Sequence, residues 1–113
     1  MSPKIVQCTC QMKEINERNP KMKREIERLV KMLENTNIPY ELTDDAMGNS
    51  NNQVWYPNRD AKICDVICHK YSYGGEDGYL EIMGLSESED GVEGWLTAEQ
   101  VFYRIYDDYF EVE

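Results

Sequence analysis

The sequence predicts an α+β fold: a three- to four-stranded antiparallel meander sheet packed by a helix from the N-terminal half and a C-terminal helix. Three observations carry that prediction. Apolar residues recur at helical spacing in two windows, Met22, Ile26, Leu29, Val30, Leu33 and then Ala98, Val101, Phe102, Ile105, Tyr109. Between those windows lie short runs that alternate or are rich in β-branched and aromatic residues. The links between these runs are too short for crossovers, so neighbouring strands should run antiparallel. At 113 residues the chain is expected to be one domain, residues 1–113.

Taken in order, residues 1–18 give the weakest pattern. Ile5, Val6, Cys8 and Cys10 suit a short edge strand or extension, and Met12 with Ile15 suits a helical turn. Pro20 disfavours helical geometry at Asn19, which places Asn19 as N-cap and Pro20 at the first helical position. The first helix should end near Glu34, before Asn35, Thr36, Asn37 and Pro39. Its outer face, Lys21, Lys23, Arg24, Glu25, Glu27, Arg28 and Lys31, interleaves both signs. The four-apart pairs Lys21–Glu25, Lys23–Glu27 and Glu27–Lys31 read as a solvated, self-paired face rather than a nucleic-acid surface.

Tyr40-Glu41-Leu42-Thr43 is the first strand of the middle region, and Asp44 to Asn51 is a loop on composition. Asp44-Asp45 reads as a turn rather than a cation site, because no further acidic spacing accompanies it. Gln53-Val54-Trp55-Tyr56 is the second strand, Pro57-Asn58-Arg59-Asp60 a tight turn, and Ala61 to Cys68 the third strand. Leu80-Glu81-Ile82-Met83-Gly84-Leu85 is a last strand or a short helix, and Ser86 to Gly91 an acidic loop. Thr97 and Gln100 form a capping box, Leu96 and Val101 a hydrophobic staple, and Glu99 suits the first turn of the helix they open. The other face of that helix carries Tyr103, Asp107 and Phe110.

Charge is distributed unevenly. Residues 1–75 hold 11 Lys/Arg and 10 Asp/Glu, whereas residues 76–113 hold 12 Asp/Glu and the one cation Arg104. The last third therefore carries −11 of a total of −10. A field of that sign repels nucleic acid and attracts basic surfaces. No run of about eighteen apolar residues exists to span a membrane, and the N-terminal apolar stretch is too short for a signal peptide. A cytoplasmic protein is expected, with reduced cysteines.

The cysteines form two clusters, Cys8-x-Cys10 and Cys64-x-x-x-Cys68-His69. The spacing is a weak match to zinc sites, which use tighter Cys-x-x-Cys pairs. Cys64, Val66 and Cys68 also alternate along a strand, where buried cysteine acts as a small hydrophobe. No metal and no cofactor is expected. Tyr71-Ser72-Tyr73-Gly74-Gly75-Glu76-Asp77-Gly78-Tyr79 has three glycines and three tyrosines in nine residues. It matches no phosphate-binding loop. It reads either as a strand connection or as a contact loop, since tyrosines are good interface residues.

Tyr73-Gly74-Gly75, Leu80 to Leu85 and Gly94 to Phe102, with Ile38-Pro39-Tyr40 and Tyr56-Pro57-Asn58, occur in an order that resembles small acidic proteins of phage and prophage regions in Firmicutes. The resemblance covers roughly residues 21–110 and leaves Cys8 and Cys10 outside it. It carries over no catalytic residue. It implies a phage accessory protein acting inside a bacterium, a class that includes inhibitors of host defence systems such as CRISPR effectors.

The expected function is therefore a non-enzymatic protein that binds and inhibits a host protein, a defence nuclease with a basic nucleic-acid-binding surface. Glu76, Asp77, Glu81, Glu87, Glu89, Asp90 and Glu93 would stand in for phosphates, with Tyr71, Tyr73, Tyr79 and Trp95 supplying contact area. No direct nucleic-acid or membrane partner is expected. Other readings stay open. One is a small hydrolase using His69, Asp65 and a carboxylate of 76–93. Another is a ligand or zinc binder using the Tyr/Gly loop or Cys8, Cys10, Cys64, Cys68 and His69. A third is a structural phage component.

Overall fold

Both expected helices form, and the sheet built from the chain between them has five strands. The computed structural model describes residues 21–111. The edge strand expected at Ile5–Cys10, the turn at Met12–Ile15, the Asn19-Pro20 cap, and Cys8 and Cys10 as ligands all lie outside the described residues, as do the side chains of Lys21 and Met22. The elements are α1 (Lys21–Asn35), β1 (Glu41–Thr43), β2 (Gln53–Tyr56), β3 (Cys64–Ile67), a short 3-10 helix (Gly75–Asp77), β4 (Leu80–Met83), β5 (Val92–Leu96) and α2 (Ala98–Tyr109). The strands pair in chain order, each antiparallel to the last.

The fifth strand corrects the expected count of three to four. Residues 80–83 are strand rather than helix, and Val92–Leu96 returns beside them as β5. Alternation along β5 is broken: Leu80 pairs with Leu96 but Ile82 pairs with Glu93, so β5 carries one extra residue. Such a bulge erases the period-two signal by which a strand is read from sequence. The third strand is shorter than the expected 61–68, because Ile63 lies outside it and is exposed.

One face of the sheet meets both helices. Val54, Val66 and Ile82 stand opposite one another across β2, β3 and β4, and Tyr56 stands opposite Cys64. They are buried with Ile26, Leu29 and Leu33 of α1 and Ala98, Val101, Phe102 and Ile105 of α2. Tyr109, expected on that apolar face, is exposed at the end of α2, where its ring stands edge-to-face with that of Tyr56. Tyr56 also donates to Asp108 at 2.8 Å, tying sheet to helix. Burial first, and then that bond, push its phenol pKa up.

Local signals explain the helix ends. Asn37, in the left-handed region at φ 58°, follows α1, and Ile38 N–H returns to Leu33 O at 3.0 Å, closing a Schellman motif with both side chains in the core. At α2 the capping box is complete: Gln100 N–H donates to Thr97 Oγ1 at 3.2 Å and Thr97 N–H to Gln100 Oε1 at 2.8 Å. Ala98 N–H donates to Glu25 of α1 at 2.8 Å, and Arg28 pairs with both Glu25 and Glu99. Lys23 reaches the carbonyls of Ser50 and Asn51. The charged face of α1 is thus spent partly on tertiary contacts, beyond the self-pairing its sequence suggests. Among the described residues no helix is long and apolar enough to cross a membrane.

Candidate functional site at the aromatic and acidic end of the sheet

The loop after β3 turns back on itself through backbone bonds that leave it little freedom. Ser72 N–H donates to His69 O at 3.1 Å, Gly75 N–H to Ser72 O at 3.0 Å, and Tyr79 N–H to Gly74 O at 2.9 Å. The Ser72 hydroxyl donates to His69 O and accepts from His69 N–H, each at 2.9 Å. From below, Asn52 is fully buried and donates both to Cys68 O at 2.7 Å and to Asp45 at 2.9 Å. Asp45 accepts further from Met47 N, Asn49 N and the Asn49 amide. Burial opposes its charge, but the donors of Asn52, Asn49 and the backbone outweigh burial and hold the carboxyl below its usual range. Asp44-Asp45 is a turn, as its composition suggests, and also the brace under the Tyr/Gly loop. Loop composition gives no sign of such burial, and nothing in the sequence marks Asn52.

This framework brings Tyr73, Glu76, Asp77, Tyr79 and Trp95 to one end of the sheet. Trp95 sits in the β5 bulge at φ 61°, a backbone region that bulky side chains rarely occupy, and its N–H reaches Tyr73 O at 3.3 Å. Trp95 is 59% exposed, and its ring centre lies 5.9 Å from that of Tyr79. Two glycines make the approach possible. A Cβ on Gly74 would stand 3.0 Å from both the Trp95 indole and Tyr79 Cβ, and one on Gly94 would run into Tyr73. Tyr73 is 61% exposed, and Glu76 and Asp77 project from the 3-10 helix. Lys70, Ser72, Tyr73, Gly74, Glu76, Asp77 and Trp95 line a shallow pocket of about 240 Å³. Tyr71, 67% exposed, carries the Lys70 ammonium 5.5 Å from its ring centre.

The remaining acidic residues fall into other roles or another place. Glu81 accepts from Tyr73 N–H at 2.8 Å, so it holds the loop in position. Glu93 accepts from Arg104 at 2.6 Å and from Glu87 N–H at 3.0 Å. The Arg104 bond, then the Glu87 bond, hold its carboxyl below the usual range. Asp90 accepts from the Ser88 hydroxyl and from Val92 N–H, which lower its pKa in that order. Glu87, Glu89 and Asp90 lie on the hairpin between β4 and β5, at the far end of that strand pair from Leu80 and Leu96. The acidic third therefore presents two separate ends.

The cysteine cluster resolves into core positions. Cys64 and Cys68 are fully buried, and Cys68 Sγ lies 3.7 Å from Gly75 O. Burial, with Asp65 and Asp108 nearby, pushes the Cys64 thiol up to about 12, against the thiolate a metal needs. Among the described residues no group of three His, Cys, Asp or Glu side chains is arranged to hold a metal ion. His69 is buried, and its Nδ1 accepts from Tyr71 N–H at 3.1 Å. Asp65 accepts from Gln53 and from Lys62. Comparison with protein-family models, with curated proteins and with solved structures gives no match to this chain.

Proposed function

We propose that this chain is a non-enzymatic binding protein that docks a basic surface of another protein through the Trp95 end of its sheet. One observation carries the reading. An indole is held outward on left-handed backbone, beside a second exposed ring and two exposed carboxylates. Backbone strain of this kind persists only where surrounding structure enforces it, and it concentrates at binding and switch sites. Aromatic side chains dominate interface energetics, and acidic neighbours select a basic partner and speed its encounter.

The narrower proposal is a phage-type accessory protein in the bacterial cytoplasm that inhibits a host defence nuclease by imitating nucleic acid. It draws on the resemblance and on the charge of −11 across residues 76–113. The geometry favours Glu76 and Asp77 over the hairpin carboxylates as the acidic partners, since they stand beside the rings.

Capture from a bacterial lysate at low and at high salt, read by mass spectrometry, tests this function. A nucleic-acid-binding protein should be retained at low salt and lost in high salt or with Glu76→Lys and Asp77→Lys. Retention that ignores salt and both substitutions would refute it.

A further inference from the structure

Resting on that binding reading, we propose that the pocket between Tyr73, Trp95, Glu76 and Asp77 receives an arginine side chain of the partner. The end of the sheet would then recognise guanidinium rather than positive charge in general. The pocket's volume of about 240 Å³ falls below the range of roughly 300–1,000 Å³ usual for small-molecule clefts, which suits one side chain of a larger partner. Its lining includes two aromatic residues, Tyr73 and Trp95, and two acidic ones, Glu76 and Asp77. A guanidinium is planar, stacks on an aromatic face and offers a fork of N–H donors that matches a carboxylate. An ammonium offers only a compact, strongly hydrated charge. Gly74 keeps the pocket open toward the indole, because a side chain there would meet Trp95. Lys70 also lines the pocket, and its ammonium lies 5.5 Å from the ring centre of Tyr71, a ring outside the pocket lining.

The chain has two tryptophans, Trp55 and Trp95, which makes the test direct. The Trp55 indole N–H donates to Thr43 Oγ1 at 2.8 Å on the sheet and serves as the internal reference. The full chain, labelled with ¹⁵N, is titrated with a tetraarginine and then a tetralysine peptide of equal charge. Assignment uses Trp95→Phe. The Trp95 indole resonance should shift saturably with tetraarginine while that of Trp55 stays in place. Tetralysine should bind about fivefold more weakly, a difference of about 1 kcal/mol, because an ammonium neither stacks as a plane nor forks to a carboxylate. Glu76→Gln with Asp77→Asn should weaken tetraarginine further, with the Trp55 resonance confirming the fold. Equal response to both peptides, or indifference to the double substitution, overturns the arginine pocket and leaves salt-dependent capture standing. An arginine-selective shift without any captured protein leaves the pocket standing and removes the proposed function.

Discussion

At Trp95 local stability and the proposed contact pull in opposite directions. Left-handed backbone costs a non-glycine residue roughly 1–2 kcal/mol, whereas an exposed ring returns only part of its burial energy. Trp95→Gly should therefore change stability by no more than about 1 kcal/mol in a urea melt, against about 3–5 kcal/mol for truncating a core aromatic. The same substitution should remove partner binding. A loss of about 3 kcal/mol or more would mark Trp95 as a core residue and its exposure as incidental. Asp45 makes a second prediction at this scale. Its folded pKa lies below the ordinary 3.8, so its stabilising contribution is complete above that value and disappears as pH falls through the folded one. Acid unfolding followed by circular dichroism should show stability dropping below about pH 4, and Asp45→Asn should flatten that drop. An unchanged acid limb would place the titrating carboxylate elsewhere.

Among the elements, α2 was the most legible from sequence and β5 the least. The helix declares itself because cap, staple and periodicity all lie within a few residues of one another: Thr97, Gln100, Leu96, Val101, Phe102 and Ile105 agree. Thr97→Ala should cost about 1 kcal/mol, since it removes the acceptor for Gln100 N–H, and thermal melts would show it. No change would mean that Glu25, through Ala98 N–H, and Gln100, through the backbone N–H of residue 97, secure that end. The strand next to it was missed because its bulge at Gly94–Trp95 breaks alternation, and its pairing with β4 is a long-range fact. The same holds for the site. Tyr73, Glu76, Asp77, Tyr79 and Trp95 were nameable from composition, but their convergence depends on loop 68–79 folding back to Gly94. The brace of Asp45 and Asn52 beneath that loop leaves no periodic trace in the sequence.

Across the whole molecule, both ends of the β4–β5 pair are acidic, and exposed aromatic rings set one apart from the other. The Tyr73–Trp95 end joins rings to exposed carboxylates. At the hairpin end Glu93 and Asp90 are committed to Arg104, Ser88 and backbone N–H groups, while Glu87 and Glu89 are exposed. Charges at either end attract a basic partner over a distance of about 8 Å in physiological salt, so both should hasten encounter. Only the end with rings should set the lifetime of the complex. The most direct measurement compares capture from a bacterial lysate by the native chain, by Trp95→Gly and by Glu89→Lys, at one salt concentration. A partner should be held by the native chain and by Glu89→Lys and lost with Trp95→Gly. A partner that survives Trp95→Gly and is lost with Glu89→Lys would contradict it and move the binding surface to the hairpin.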